Sequence, residues 1–135
     1  MHPHFLASAQ PPSDTAAVES LYAMGHGLFS QERFVDAAAI FRIMLQLAPT
    51  DERSWLALGE CHERVGQPDV ALELYGAGTV ANEQAARCQV ARARIFIEQG
   101  RHAEAEEAID AAQAIADAGD DDTLTTLVDA VRRMS

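Results

Sequence analysis

The sequence predicts an all-α fold built from three similar helix pairs that are followed by one final helix. Residues of the same kind recur every 34 positions, and a fixed period of this length is typical of a stacked helix–turn–helix unit. Within each segment, apolar residues follow one another at spacings of three and four, as on one face of a helix. The sets that recur at this period are Ala37, Ala71 and Ala105; Gly25, Gly59 and Ala93; and Phe41, Tyr75 and Ile109.

The first helix pair is expected over about residues 18–51. Ser13 or Asp14 can cap its first helix, because a side-chain oxygen at that place accepts a hydrogen bond from a free backbone amide. That helix should run to about Ser30, and the second helix of the pair over about 34–47. The expected inner face of the first helix consists of Leu21, Met24, Gly25 and Leu28.

The second and third pairs are expected over about residues 52–85 and 86–119. Gly66 and Gly100 lie just past the first helix of each pair, where a residue with left-handed backbone commonly ends a helix. Pro68 then opens the next helix, since proline is tolerated in a first turn. The chain therefore contains stop and start signals at matching places in successive repeats.

The two ends of the chain are expected to differ. Residues 122–134 have an apolar face and should form a capping helix over the open core of the last repeat. Residues 1–13 contain three prolines and two histidines and are expected to be a flexible tail. Residues 14–134 should form a single domain. The expected apolar face of the capping helix consists of Leu124, Leu127, Val128 and Val131.

Composition and charge narrow the classes of partner. The 135 residues are 48% hydrophobic and have a formal net charge of −11. A nucleic-acid-binding protein needs a basic face that displaces counterions from phosphate, and an anionic membrane surface attracts basic segments. Neither partner is expected here. Two cysteines give no disulfide framework, which favours a reducing, cytoplasmic setting.

No residue pattern predicts catalysis, a metal site or a cofactor. The sequence lacks the phosphate-binding and zinc-protease motifs. Cys61 and His62 are adjacent, so on a helix their side chains point about 100° apart and cannot act as a nucleophile and its base. The histidines of the helical region share no ligand spacing. We therefore expect a binding protein, not an enzyme.

The recurring residues resemble the tetratricopeptide repeat. In that family a large apolar residue is followed three and four positions later by leucine and glycine, and alanine and an aromatic residue lie in the second helix. The match covers about residues 18–117 and is weaker in the third repeat, where Gln89 and Arg92 depart from the pattern. It implies three helix pairs stacked as a right-handed superhelix with a concave groove. The matching residues are Leu21, Met24, Gly25, Ala37, Phe41 and Pro49, and then Trp55, Leu58, Gly59, Ala71 and Tyr75.

A narrower resemblance is to the class II chaperones of bacterial type III secretion systems, which are small, acidic cytosolic proteins with three such repeats. The similar segments are 21–41, 55–78 and 97–115. The resemblance implies that the protein holds hydrophobic, pore-forming translocator proteins before secretion, with an extended segment from near the client's N-terminus in the groove. The residues that distinguish this family from a generic repeat are Gly59, Cys61, Gly66, Gln67, Tyr75 and Gly78.

The candidate site is the concave groove formed by the first helices of the repeats. The resemblance places aromatic groove residues at Tyr22 and Phe29 and a groove position at Leu56. Positions next to the core face of these helices give apolar residues rimmed by charge, which suits an extended peptide held by a few apolar anchors. The candidate residues are Tyr22, His26, Phe29, Leu56, Glu60, Val90, Arg94 and Ile97, with Glu63 beside them.

Alternatives remain open at this point. The protein could be a general tetratricopeptide adaptor that joins folded partners, or a needle-subunit chaperone of the same secretion apparatus. Tyr22 and Phe29 could pack on the tail or on a partner subunit. A homodimer is also possible, although chaperones of this class usually have a longer N-terminal helical segment for dimer contacts than the roughly 14 residues that precede the first helix here.

Overall fold

The computed structural model describes residues 14–135, and within them it contains seven α-helices and no strand. The expected tail at residues 1–13, including Ser13, lies outside the described residues. The all-α prediction is confirmed. The helices are α1 (Asp14–Ser30), α2 (Phe34–Leu47), α3 (Glu52–Arg64), α4 (Pro68–Ala81), α5 (Ala86–Glu98), α6 (His102–Gly119) and α7 (Asp122–Arg132).

The helices stack as consecutive pairs, with the core between neighbours. Each helix packs against the next one in the chain, and the first helices of neighbouring pairs also meet, α3 with α5 and α5 with α7. Three clusters of buried side chains run along the stack: one around Phe41 and Met44, one around Tyr75 and Ile95, and one that α5, α6 and α7 share. Each repeat is therefore stabilised mainly by its immediate neighbours, as in other repeat proteins.

Two glycines allow the helices of a pair to approach closely. A Cβ atom added at Gly25 would overlap the ring of Phe41, and one added at Gly59 would overlap the ring of Tyr75. Gly78 on α4 has a related role, because its added Cβ would lie 2.9 Å from Cβ of Trp55 in the same pair and 3.0 Å from Sγ of Cys88 in the next pair. The glycine–aromatic pattern at the 34-residue period is thus a packing pattern, in which a large ring fills the space that the missing side chain leaves.

The prediction that Met24 lies on the inner face is wrong. Met24 is 54% exposed, whereas Leu58, its equivalent 34 positions later, is 3% exposed and packs against the first repeat. Among the described residues no helix pair precedes α1, so no described helix covers Met24 in the way that the first repeat covers Leu58. Leu127, expected on the apolar face of α7, is 38% exposed at the opposite end of the stack.

The turn inside each helix pair contains one residue with left-handed backbone. Gly66 has φ +79° and Gly100 has φ +73°, as the sequence predicted, and Glu32 occupies the equivalent place with φ +61°. In all three turns the next backbone amide donates to the carbonyl oxygen five residues earlier, which is the hydrogen bond that closes a Schellman motif. Of these three turns, only the first has a residue with a Cβ atom, Glu32, in the left-handed conformation.

Replacing Glu32 with glycine should therefore stabilise the protein. A left-handed conformation costs a residue with a Cβ atom about 1–2 kcal/mol, and part of that gain is offset because glycine has more freedom in the unfolded chain. We expect the free energy of unfolding to rise by about 0.5–1 kcal/mol, measured by urea denaturation followed by circular dichroism. The control is Gln31→Gly in the same turn, which should be destabilising because the φ of Gln31 is negative. Equal shifts in the two variants would refute this explanation.

Candidate functional site

Five of the eight candidate residues line one pocket between α1 and α3. Tyr22, His26 and Phe29 come from α1, and Leu56 and Glu60 come from α3. Tyr22 and Leu56 are 34 positions apart, as are His26 and Glu60, so equivalent faces of successive first helices form the two walls. The pocket has a volume of about 50 Å³. The other lining residues are Phe41, Arg53 and Ala57.

Arg53 holds the aromatic wall of the pocket in place. Its guanidinium carbon lies 4.7 Å from the centre of the Tyr22 ring, a cation–π contact. The same group is paired with Glu19 on α1 at 2.6 Å and with Asp51 at 2.8 Å. Hydrogen bonds from Arg53 lower the pKa of both carboxyl groups. The ion pairs therefore fix the arginine over the tyrosine ring and connect the first two repeats.

Sequence reasoning missed Arg53, although a signal was present. Glu19 and Arg53 are 34 positions apart and have opposite charge, and residues at equivalent positions of stacked repeats lie next to each other. Opposite charges at the repeat period could have identified this pair.

Phe29 lies at the end of the pocket and is half-buried. Its ring meets the ring of Phe34 edge to face, with the centres 5.0 Å apart. The Arg64 guanidinium carbon lies 5.0 Å from the Phe29 centre and 5.4 Å from that of Phe34. Each aromatic side of the groove thus has an arginine stacked on it, so the rings are ordered before any partner binds.

Arg94 reaches the groove from the third repeat. Its guanidinium donates to both oxygens of Glu63 at 2.7 Å and lies 3.4 Å from Glu98. Burial alone would lower the pKa of Arg94, but the bonded Glu63 carboxylate raises it above its usual value. The arginine is therefore a fixed cation that joins α3 to α5, beside the pocket and not within it.

The structure does not bring Val90 and Ile97 to this pocket. Val90 is 7% exposed and belongs to the buried cluster that α5, α6 and α7 share, and Ile97 is half-buried against the same cluster. The helix α7 packs on α5 and completes this cluster. The candidate site is therefore formed by α1 and α3, with Arg94 at its border.

The cysteines do not form part of a reactive site. Cys61 and Cys88 are both buried and free. Burial raises the pKa of Cys61 to about 11 and that of Cys88 to about 12. Both therefore stay protonated near neutral pH and behave as small apolar side chains. Residues 14–135 hold no group of three or more side chains suited to binding a metal ion.

None of the helices described between residues 14 and 135 combines the length and the apolar character that a bilayer span requires.

Comparisons with known proteins agree with the repeat pattern. The sequence model of the tetratricopeptide repeat matches residues 28–95. Low calcium response locus protein H of Yersinia pestis is 31% identical over 103 residues, which are 76% of this chain and 60% of that protein. The chain thus matches about three-fifths of the length of this relative.

Solved structures show the same arrangement of helices. The type III secretion translocator chaperone SycD of Yersinia enterocolitica superposes with a TM-score of 0.78 at 27% identity, over 89% of this chain and 88% of that one. PcrH in complex with the chaperone binding region of PopD gives a TM-score of 0.76 at 26% identity, over 93% and 92% of the two chains. The 34-residue period, the stacked helix pairs and the match over about half of the sequence establish that this chain belongs to the tetratricopeptide repeat family.

Proposed function

We propose that this protein is a cytoplasmic chaperone of a bacterial type III secretion system. It binds an extended segment of a hydrophobic translocator protein in its concave groove and keeps that protein soluble before secretion. The observation that carries the proposal is the pocket lined by Tyr22, Phe29 and Leu56, which we propose as the site for an apolar anchor of such a segment. Two similar proteins support it: SycD is a translocator chaperone, and PcrH was crystallised with the chaperone binding region of PopD.

The shape of the site suits an extended peptide. A pocket of about 50 Å³ has room for one small apolar side chain, and burying such a side chain contributes about 1.5–3 kcal/mol. Arg53 and Arg64 already hold the Tyr22 and Phe29 rings, so little side-chain freedom is lost on binding. One anchor is too weak to hold a client, so the segment must make further contacts along the groove. The protein has no catalytic part in this function.

The test is capture of the client by tagged protein from the source bacterium under secretion-inducing conditions. The test variant, Tyr22→Asp/Leu56→Asp, places two carboxylates in the pocket. We expect the wild type to retain a hydrophobic secreted protein that is insoluble when expressed alone, and the variant to lose at least about tenfold of it, since two unpaired charges in an apolar contact cost more than 1.4 kcal/mol.

The matched control is Val35→Asp/Val80→Asp, which makes the same kind of change at side chains that are 75% and 84% exposed. It should capture as much client as the wild type. Circular dichroism must show that all variants are folded, and Leu56→Ala replaces the double variant if that one unfolds. Recovery of only soluble, folded partners would favour a general adaptor, and recovery of a needle subunit would favour a needle-subunit chaperone. If both double variants captured equal amounts of client, the groove would not be the client-binding site.

The oligomeric state remains a prediction for this chain. A homodimer is possible, and one of the similar SycD structures was described as an alternative dimer. Sedimentation of the free protein over a range of concentrations would decide this.

A further inference from the structure

Glu60 carries the one carboxylate among the described residues that line the pocket between α1 and α3, where Arg53 and His26 are the other polar residues. It lines the pocket with Tyr22, Phe29 and Leu56, and its side chain is exposed to the groove. No residue between 14 and 135 donates a hydrogen bond to this carboxylate or lies within ion-pair distance of it. A carboxylate here is solvated in the free protein, and a client segment that covered it without supplying a cation would leave a buried, uncompensated charge, which is costly.

The other charges of the groove leave an excess of negative charge around Glu60. Arg53 is shared by two carboxylates, those of Glu19 and Asp51. Arg94 is likewise shared by two, those of Glu63 and Glu98. The potential in the groove is therefore suited to a positively charged ligand, because complementary potentials favour association. Arg64 lies beyond the pocket and is stacked on Phe29 and Phe34.

We propose that Glu60 recognises a lysine or arginine of the client segment that lies next to the apolar anchor in the pocket. This inference rests on the proposed function and defines the segment more closely: an apolar residue and a basic residue on the same side of an extended chain. The apolar anchor enters beside Leu56, and the cation pairs with the free carboxylate.

For a client segment that runs along α3, helix and strand geometry give the spacing between these two residues. Leu56 and Glu60 are one turn apart, about 6 Å along α3. In an extended peptide, side chains two positions apart point to the same side and lie about 7 Å from each other. We therefore expect the basic residue two positions before or after the anchor, and not directly adjacent to it.

The same carboxylate should make binding sensitive to mildly acidic pH. Partial burial, and then the neighbouring Glu63, raise the pKa of Glu60 above its usual value, whereas Arg94 on α5, His26 on α1 and Arg64 lower it. Glu60 therefore takes up a proton at a higher pH than an ordinary glutamate. The preference for a basic residue should be full at neutral pH and disappear as the pH falls through that pKa.

The experiment is an NMR titration of ¹⁵N-labelled protein with designed ten-residue peptides of glycine and serine that contain one leucine. Lysine, glutamine or glutamate is placed two positions from the leucine, on either side, in separate peptides. We expect the lysine peptide of one of the two series to bind about two- to fivefold more tightly than its glutamine counterpart, as for a partly exposed ion pair. Glutamate should weaken binding. The Glu60→Gln variant should remove the difference.

Control variants separate this recognition from a general effect of charge. Glu73→Gln removes an exposed acid on α4, outside the groove, and should keep the lysine preference. Glu60→Lys should reverse it in favour of the glutamate peptide. A lysine preference that persists in Glu60→Gln, or equal binding of lysine and glutamine peptides to the wild type, would overturn the inference and leave the groove function intact. If no leucine peptide shifted the amides of α1 and α3, the inference would be overturned; the groove function is tested separately by client capture, because a native segment makes further contacts along the groove.

Discussion

Replacing Gly59 with alanine should lower the free energy of unfolding by about 2–3 kcal/mol, in the range of overpacked cores. The added Cβ would overlap the Tyr75 ring, and Tyr75 is completely buried, so the ring has no space into which it can move. The helices α3 and α4 would have to separate. Alanine is the better helix former by up to about 1 kcal/mol, and the steric cost must exceed that gain. Guanidinium denaturation followed by circular dichroism measures the difference.

The matched control for this variant is Gly76→Ala, next to Tyr75 in α4. There the nearest atom to an added Cβ is Nε of Arg92 at 3.9 Å, an ordinary contact. This change should raise the free energy of unfolding by about 0.5–1 kcal/mol, because only the helix propensity changes. If both alanines shifted stability in the same direction, the glycine–aromatic contact would not explain the repeat.

The fold could be predicted because its period is a pattern of side-chain volumes. Gly59 opposite Tyr75 repeats the pairing of Gly25 with Phe41. In the third repeat Ala93 stands in place of the glycine and Ile109 in place of the aromatic residue, and both are buried. The residue on the first helix is larger than glycine, and the one on the second helix is smaller than the aromatic ring. These contacting pairs can be predicted from their spacing in the sequence, because the distance between the two helix backbones is the same in each repeat.

The two ends of the stack could not be predicted in this way. A repeat pattern assumes that every unit has the same neighbours, and this is false for the first and the last unit. Met24 is exposed because the described residues hold no pair that precedes it, whereas its equivalent Leu58 has one. Val90 is buried because it belongs to the cluster that α7 completes, whereas its equivalents Tyr22 and Leu56 line the pocket.

The site was predicted where it depends on helix faces and missed where it depends on long side chains. Tyr22 and Leu56 follow from their positions on the first helices. The stacking of Arg53 on Tyr22 and its hydrogen bonds to Glu19 do not follow from these positions. An arginine has a long side chain that can reach several acidic residues, and only the three-dimensional structure shows which of them it binds. A planar guanidinium group that donates several hydrogen bonds requires its acceptors at particular positions. The assignment of residues to helix faces does not specify those positions.

Replacing Val128 with aspartate should unfold the C-terminal end of the protein. Val128 is completely buried in the cluster that α5, α6 and α7 share. An unpaired carboxylate in such a place costs several kcal/mol, a large part of the roughly 5–15 kcal/mol that stabilises a domain. We expect hydrogen exchange to show loss of protection in α5, α6 and α7 while α1 and α2 keep theirs, because each repeat depends mainly on its neighbours.

The matched control is Leu127→Asp, which adds the same charge one residue earlier in α7 at a side chain that is 38% exposed. It should leave most of the protection in place. Equal effects of the two variants would show that charge on α7, and not the buried cluster, decides the stability of this end. The Val128→Asp variant should also affect the border of the groove. Arg94 on α5 is paired with Glu63 on α3, so unfolding of α5 should break that ion pair. Tyr22 and Leu56 lie on α1 and α3 and should keep their positions.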